Sequence, residues 1–185
     1  MDKDLQLLEE RFVSREDIFE GRLIHVVKDT VSLPDGHLST REVMLHRGAV
    51  AVVPLFEDGT VLMEKQYRYA QGRVVYEIPA GKLEEGEDDL VAVCAREMRE
   101  ETGLVAERYT PLGFYVPSPA ILGERIALYL AEGLRLGESA LDEGEFLLTD
   151  RRPLSELIEM ILQGKIEDGK TQVALLKTYL LRKNK

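Results

Sequence analysis

Apolar and polar positions along the first part of the chain predict strands. Residues 18–33 and 40–45 carry β-branched side chains with partial period-two alternation, and LPDGH between them has the chemistry of a turn. Residues 48–56, GAVAVVPLF, are nearly all apolar, as is typical of a strand covered on both faces. The turn EDGT then leads into a strand VLMEKQYR, and RVVYEIP over 73–79 predicts another strand.

A helical period replaces the strand pattern over 90–102. Its apolar side chains recur at steps of three and four residues: Val91, Cys94, Ala95 and Met98. Gly103 is the expected end, because glycine readily takes the left-handed conformation just past a helix. This segment therefore predicts an amphipathic helix that buries one face.

The rest of the chain predicts three more strands and two terminal helices. The strands lie over 108–116, 125–134 and 145–152, and the helices over 153–164 and 170–183. Strands, a central helix, strands and terminal helices together predict an α/β fold with a mixed sheet between helices.

Composition narrows the function classes. The 185 residues carry a net charge of −10 and no apolar run close to a membrane span, and the first residues do not resemble a signal peptide. Basic residues form no long patch, so we expect a soluble cytosolic protein that binds neither membrane nor nucleic acid. Cys94 is the only cysteine and the three histidines are scattered, so a bound metal would need oxygen ligands.

Three carboxylates share one face of the predicted helix. Glu97, Glu100 and Glu101 are spaced i, i+3 and i+4, away from the apolar stripe. One interpretation is a solvated acidic face on which Arg96 supports Glu100. The other is a divalent cation site, since a cation removes the mutual repulsion of the carboxylates and Mg²⁺ prefers oxygen ligands.

The stretch GKLEEGEDDLVAVCAREMREETGL, residues 81–104, resembles the Nudix box. That pattern is Gly, five residues, Glu, seven residues, then Arg-Glu-apolar-x-Glu-Glu-x-Gly-apolar. Here eight residues, DDLVAVCA, separate Glu87 from Arg96, while Arg96 to Leu104 match without a gap. We expect the extra residue to lie in the Asp88-Asp89 turn that caps the helix.

The resemblance implies roles for individual residues and a Nudix α/β/α sandwich fold. Glu97 and Glu101 are similar to the principal metal ligands of the family, and Glu100 either joins them or shares a second ion. The carbonyl oxygen of Ala80 matches a further ligand position. Arg96 resembles the residue that braces the loop and the helix, and Glu87 has a supporting part.

Flanking segments extend the resemblance to ADP-ribose pyrophosphatases. They include REVMLHRGAVAVVPL, KQYR, EIPAGKLEEGE, FYVPSPA and LDEGEF, in the order of that family. The resemblance implies hydrolysis of ADP-ribose to AMP and ribose 5-phosphate with two to three Mg²⁺ ions per site, Mn²⁺ being the alternative ion. The ions would neutralise the pyrophosphate and orient a water molecule.

The proton of that water needs a base outside the box. LDEGEF supplies Glu143 as the expected base and Glu145 as an extra metal ligand or alternative base. We leave open which of the two is the base. A plain solvated turn is the competing interpretation of this segment.

Four further residues match substrate positions of the family. Arg68 resembles a phosphate contact and Arg41 a contact to the adenine or the diphosphate, with a surface ion pair as the alternative for each. Glu77 matches a ribose-side or metal-side position. Glu124 could reach the terminal ribose, in a loop where Ala120 replaces the usual glycine.

Relatives in this family are dimers that exchange N-terminal strands. The resemblance therefore divides the chain into an antiparallel β subdomain over 1–47, which exchanges between protomers of a homodimer, and a Nudix domain over 48–185. Two other functions stay open. One is hydrolysis of another nucleoside diphosphate sugar, such as GDP-mannose or ADP-glucose, and the other is a catalytically silent Nudix module that senses a nucleotide.

Overall fold

The computed structural model describes residues 7–137 and 146–183. Contacts between Cα atoms divide the chain into two compact units, which we call the first unit and the second unit. The first unit contains Met1–Arg47 and Val116–Glu124, and the second contains Gly48–Tyr115 and Arg125–Lys185. The structure thus adds a later segment to the N-terminal part, and the division into an exchanging subdomain and a catalytic domain stays a prediction.

The first unit is built on one antiparallel sheet of three strands in the order β1-β2-β3. The strands are β1 (Arg11–Glu20), β2 (His25–Ser32) and β3 (Leu38–Leu45). The predicted hairpin is confirmed as β2 and β3, but the single strand predicted over 18–33 is wrong. The chain turns between β1 and β2, where the Gly21 N–H donates to the Ile24 carbonyl at 2.8 Å.

Sequence patterns missed β1 for a physical reason. All ten residues of this strand are exposed, so no apolar face alternates with a polar one. Alternation is a signal only where one face of a strand is buried.

The second unit contains the remaining elements. Its strands are β4 (Ala49–Pro54), β5 (Thr60–Arg68), β6 (Arg73–Glu77), β7 (Ala80–Lys82), β8 (Leu104–Val105), β9 (Arg108–Tyr115), β10 (Ile126–Glu132), β11 (Arg135–Leu136) and β12 (Leu147–Pro153). Its helices are α1 (Leu90–Thr102), α2 (Leu154–Leu162) and α3 (Gly169–Lys183). Among the residues described, no helix is both long enough and apolar enough to cross a membrane.

The central sheet of the second unit is mixed, as predicted. Its order is β7-β4-β10-β9, in which β4 and β10 are parallel and the outer pairs are antiparallel. A second sheet, β12-β5-β6, is antiparallel throughout, and β11 pairs with β8. The predicted helices and the strands after residue 40 agree with the structure to within two residues at each end. The short strands β7, β8 and β11 were not predicted.

Alternate residues of β4 face two different layers, which confirms the α/β/α sandwich. Ala49, Ala51 and Val53 belong to the core cluster that includes residues of α2 and α3. Val50 and Val52 belong to the cluster that includes α1. All six residues of β4 are buried, because helices cover both faces of the sheet.

The buried face of α1 differs in part from the predicted stripe. Cys94 and Met98 are buried as predicted, but Val91 is 40% exposed and Val93 is buried in its place. Glu101 is also buried on this face. The helix therefore turns an acidic residue toward the protein interior, which an apolar stripe alone cannot indicate.

Candidate active site

The strand β7 lies directly against the acidic face of α1. β6 ends at Glu77, and the chain enters β7 at Ala80, whose N–H donates to Glu101 Oε2 at 3.1 Å. A Cβ atom added at Gly81 would lie 1.8 Å from Cδ of Glu97. Only glycine therefore allows the carboxylate of Glu97 to rest on this backbone.

The turn before α1 accommodates the extra residue of the box. Asp89 caps the helix, because its Oδ1 accepts hydrogen bonds from the N–H groups of Val91 at 3.0 Å and Ala92 at 3.1 Å. Glu87 still contacts Arg96, with Oε1 3.1 Å from Nε and Oε2 3.2 Å from Nη2. The insertion therefore does not separate the two halves of the box.

Arg96 binds two of the predicted metal ligands as well as Glu87. Its Nη1 lies 2.9 Å from Glu97 Oε1 and 2.9 Å from Glu100 Oε2. Burial by itself lowers the pKa of Arg96, but the neighbouring carboxylates outweigh burial and the net effect raises this pKa. One guanidinium thus binds three carboxylates. We call these four residues the Arg96 group: Arg96, Glu87, Glu97 and Glu100.

The carboxylates supply the oxygen donors that a divalent ion needs, but their side chains are not arranged around a common ion position in this structure. Within 7–137 and 146–183, no three His, Cys, Asp or Glu side chains are gathered closely enough to hold a metal ion. Glu97 and Glu100 are paired with Arg96, and Glu101 accepts from the Ala80 N–H. Carboxylate and carbonyl oxygens are nevertheless the ligands that Mg²⁺ prefers, so the predicted metal roles stay predictions.

The only cysteine is not a candidate nucleophile. Cys94 is fully buried on α1, and burial, followed by the charge of Glu97, raises the pKa of its thiol to about 12. The thiol stays protonated at neutral pH, and a protonated thiol is a poor nucleophile. Chemistry at this helix is therefore left to oxygen groups.

A second group of charges lies at the end of β6. Glu77 is only 2% exposed, and its Oε1 accepts a hydrogen bond from Arg68 Nε at 2.7 Å. Its Oε2 accepts from Lys170 Nζ, and Lys170 also contacts Asp168 Oδ2 at 3.1 Å. We call these four residues the Glu77 group: Arg68, Glu77, Asp168 and Lys170.

The Glu77 group is close to the acidic helix. Burial alone would lower the pKa of Arg68, but the hydrogen bond to Glu77 and the charges of Glu77, Glu101 and Asp168 raise it. Glu101 therefore acts electrostatically on the residue predicted to contact phosphate. Substrate contact by Arg68 and by Glu77 stays a prediction, because both side chains are engaged with each other here.

Arg41 and Glu124 lie in the first unit. Arg41, on β3, donates from Nε to Glu10 Oε2 at 2.9 Å and from Nη1 to Ser39 Oγ at 3.0 Å. The ion pair that we considered as its alternative role is thus present, and substrate contact stays a prediction. Glu124 Oε1 lies 3.5 Å from His46 Nε2, and both side chains are largely buried within the chain.

The two candidate bases cannot be placed. Glu143 and Glu145 both lie outside the described residues. Their roles stay predictions from the sequence, as does the choice between them.

Sequence reasoning missed three residues at the start of α3. Lys170 and Asp168 complete the Glu77 group, and Thr171 Oγ1 accepts a hydrogen bond from the Ile78 N–H at 3.0 Å. The available signal was the charged segment EDGKT at a helix start. That segment could not indicate which distant carboxylate its lysine would bind.

Comparison with known proteins identifies the family. The NUDIX domain family model matches residues 45–146, which is more than half of the chain. A second model, the nucleoside diphosphate sugar hydrolase N-terminal domain, matches residues 10–44. The chain belongs to the Nudix hydrolase family. The resemblance of residues 81–104 to the Nudix box is thereby confirmed, and so is the expectation of a hydrolase.

Three relatives match most of the chain. The chain is 41% identical over 172 residues to the methanol dehydrogenase activator of Bacillus methanolicus, covering 92% of each protein. It is 36% identical over 173 residues to an ADP-ribose pyrophosphatase of Bacillus subtilis, covering 92% of this chain and 93% of that protein. An ADP-ribose pyrophosphatase of Mycobacterium tuberculosis is 35% identical over 156 residues, covering 83% of this chain and 75% of that one.

A solved structure supports the Nudix fold independently. A crystal structure described as an ADP compounds hydrolase matches 96% of this chain and 96% of its own with a TM-score of 0.83. The sequence identity is 22%, so this match concerns the fold alone.

Proposed function

We propose that this Nudix hydrolase cleaves the pyrophosphate of ADP-ribose in an Mg²⁺-dependent reaction that gives AMP and ribose 5-phosphate. The observation that carries the proposal is the 36% and 35% identity, over most of the chain, to two ADP-ribose pyrophosphatases. The match of residues 10–44 to the N-terminal domain of nucleoside diphosphate sugar hydrolases supports the substrate class.

The acidic face of α1 is the proposed metal site. Glu97, Glu101, Glu100 and the carbonyl oxygen of Ala80 would hold two to three Mg²⁺ ions, with Mn²⁺ as the alternative, and Glu145 would add a ligand. Bound ions would neutralise the pyrophosphate and lower the pKa of a water molecule. Gly81 supports this assignment, because it leaves the space that the carboxylate of Glu97 occupies.

Other residues of the chain would bind the substrate and move a proton. Arg68 lies within electrostatic reach of Glu101 and would bind a phosphate, because a guanidinium matches phosphate geometry. Arg41, Glu77 and Glu124 would contact the rest of the substrate. Glu143, with Glu145 as the alternative, would take the proton of the attacking water.

A homodimer in the cytoplasm is part of the proposal. β1 is exposed along its whole length, and Phe12, Val13, Ile18 and Phe19 on it are each more than half exposed. An edge strand that exposes these apolar side chains favours pairing with a second copy of the chain. Light scattering after gel filtration would detect the dimer, and a Phe19→Asp variant should shift it toward monomer. A monomeric wild-type protein would contradict this part.

Substrate comparison tests the proposed reaction. The purified protein would be incubated with ADP-ribose, GDP-mannose and ADP-glucose in the presence of Mg²⁺, Mn²⁺ or EDTA, and products would be separated chromatographically. We expect release of AMP from ADP-ribose at the highest kcat/KM, and no release in EDTA. Faster hydrolysis of GDP-mannose or ADP-glucose would favour another nucleoside diphosphate sugar. No hydrolysis of any substrate would favour a nucleotide-sensing module.

A second candidate function is activation of a methanol dehydrogenase. It is favoured by the 41% identity, over 92% of each chain, to the relative of that name. The rate of purified methanol dehydrogenase with and without this protein would test it. An unchanged rate over a range of protein concentrations would exclude it.

A further inference from the structure

We propose that Lys170 is a positioning residue for substrate binding. Its ammonium group shares the carboxylate of Glu77 with Arg68, and so leaves the guanidinium of Arg68 able to bind a phosphate of the substrate. The inference rests on the proposed function, since it concerns a nucleoside diphosphate substrate.

The two cations use different oxygens of one buried carboxylate. Arg68 Nε donates to Oε1 of Glu77 at 2.7 Å, and Lys170 Nζ donates to Oε2. The Arg68 bond uses only one of five guanidinium donors, and 42% of the Arg68 side chain is exposed. Arg68 is therefore held through Nε while its side chain stays partly exposed.

Burial differs sharply within the group. Glu77 is 2% exposed and Lys170 is 8% exposed, whereas the side chain of Arg68 is far more accessible. A substrate phosphate can thus approach Arg68 but not Lys170. Lys170 can therefore influence binding only indirectly, through the charge balance of the Glu77 group, which makes it a positioning residue rather than a catalytic one.

The charges of the Glu77 group cancel. Arg68 and Lys170 supply two positive charges, and Glu77 and Asp168 supply two negative ones. Without Lys170 the group would carry a net charge of −1, and Glu77 would interact with Arg68 alone. The positive potential that Arg68 presents to a phosphate would then fall, and this effect is strong where the local dielectric is low.

Two hydrogen bonds near Glu77 do not involve the ammonium group of Lys170. Thr171 Oγ1, which is fully buried, accepts from the Ile78 N–H at 3.0 Å, and Asp168 Oδ2 accepts from the Thr171 N–H at 2.9 Å. The first bond joins the first turn of α3 to the segment after β6, and the second lies within the start of α3. A neutral side chain at position 170 should therefore leave this junction in place.

Calorimetric binding of ADP-ribose in EDTA tests the inference without turnover. We expect Lys170→Met to raise the dissociation constant roughly tenfold. With Mg²⁺, KM should rise while kcat changes little, because the lost interaction is made equally in the ground state and the transition state. Lys170→Arg should restore binding. An unchanged dissociation constant in Lys170→Met would overturn the inference.

Lys177→Met is the matched control. Lys177 lies two turns further along α3, and its Nζ donates to the Leu112 carbonyl at 2.6 Å, away from Glu77. This variant removes the same charge from the same helix, so we expect unchanged ADP-ribose binding. Equal weakening in both variants would mean that the effect is general loss of charge or stability, and would overturn the inference.

Removing the negative charge of Asp168 should have the opposite effect on ADP-ribose binding to removing the positive charge of Lys170. In Lys170→Met combined with Asp168→Asn the charge of the group returns to zero, so binding should recover, and the asparagine oxygen can still accept from Thr171. Asp168→Asn alone should bind ADP-ribose more tightly than wild type, which keeps the inference testable if Lys170→Met does not fold. No recovery and no tightening would overturn it. A wild-type protein that neither binds nor cleaves ADP-ribose would instead contradict the proposed function.

Discussion

Two groups of charges adjoin the segment from Glu77 to Gly81, and they differ in charge balance. The Arg96 group sets one cation against three carboxylates, which leaves a net charge of −2. The Glu77 group sets two cations against two carboxylates and is neutral. One group therefore has negative charge in excess, and the other has none.

The two groups also differ in how deeply their central pair of charges is buried. The side chains of the Arg96 group are between 15% and 27% exposed, so water reaches all four of them. In the Glu77 group, only 3% of the Glu77 side chain and 10% of the Lys170 side chain are exposed, whereas Asp168 and Arg68 are 21% and 42% exposed. A net charge is costly to bury, and pairing removes most of that cost.

The difference indicates different roles. Excess carboxylates that water can reach are suited to bind cations that come from solution, which is what metal-dependent hydrolysis needs. A neutral group whose central pair, Glu77 and Lys170, is buried is suited to fix geometry, because its opposite charges hold one another in place. We therefore place the Arg96 group in the proposed metal chemistry and the Glu77 group in the proposed orientation of Arg68.

The largest expected effect comes from the Arg96 group. Glu97→Gln should lower kcat for ADP-ribose by more than about 100-fold, because it removes a proposed metal ligand while keeping the shape of the side chain. Glu87→Gln is the matched control on the same guanidinium and should cost about tenfold or less. Steady-state kinetics over a range of Mg²⁺ concentrations would compare them. Equal losses would remove Glu97 from the proposed metal site.

Gly81→Ala should have the next largest effect. The new Cβ would lie 1.8 Å from Cδ of Glu97, so the carboxylate must move off the backbone of β7. We expect kcat to fall about tenfold or more, with the fold retained. Gly86→Ala is the control, because it has no atom within 4 Å and strains only its own backbone at φ +85°. Comparable kinetics for the two variants would show that the contact does not matter.

Sequence patterns predicted most of the second unit because its strands and helices bury distinct faces. The all-apolar β4 is covered on both sides, and its flanking turn residues mark its ends. The pattern failed at β1, where no face is buried, and at Val91, which lies outside the buried face of α1. Periodicity reports burial, so it cannot place a strand that the chain itself leaves exposed.

The candidate site also has one part that the sequence predicts and one part that only the fold brings together. The Nudix box lies within one short stretch, so its spacing was enough to predict a shared site for Glu97, Glu100 and Glu101 together with Arg96. The Glu77 group joins residues 68, 77, 168 and 170, which only the packing of α3 against the end of β6 brings together. Contacts between residues so distant in the sequence leave no periodic trace in it.

Substitutions in the Glu77 group should lower stability more than substitutions in the Arg96 group, which is the opposite of their expected order in activity. Glu77→Gln leaves two cations next to a neutral side chain in a buried place, and should cost about 3 kcal/mol of unfolding free energy. Glu100→Gln removes a partly exposed ion pair and should cost no more than about 1 kcal/mol. Urea unfolding of both variants in EDTA would measure the difference. A larger loss for Glu100→Gln would contradict the assignment of rigidity to the Glu77 group.

The smallest effect concerns the pH dependence of the Arg96 group. The Glu84 N–H, at 2.8 Å, and then Arg96 hold the pKa of Glu87 below its usual value of 4.5. A carboxyl whose pKa is lowered on folding contributes stability above its unfolded pKa, and this contribution disappears as pH falls through the folded pKa. The difference in unfolding free energy between wild type and Glu87→Gln should therefore shrink as pH falls below 4.5. Urea unfolding at a series of pH values measures it, and a difference that stays constant would mean that Glu87 ionises alike in the folded and unfolded chains.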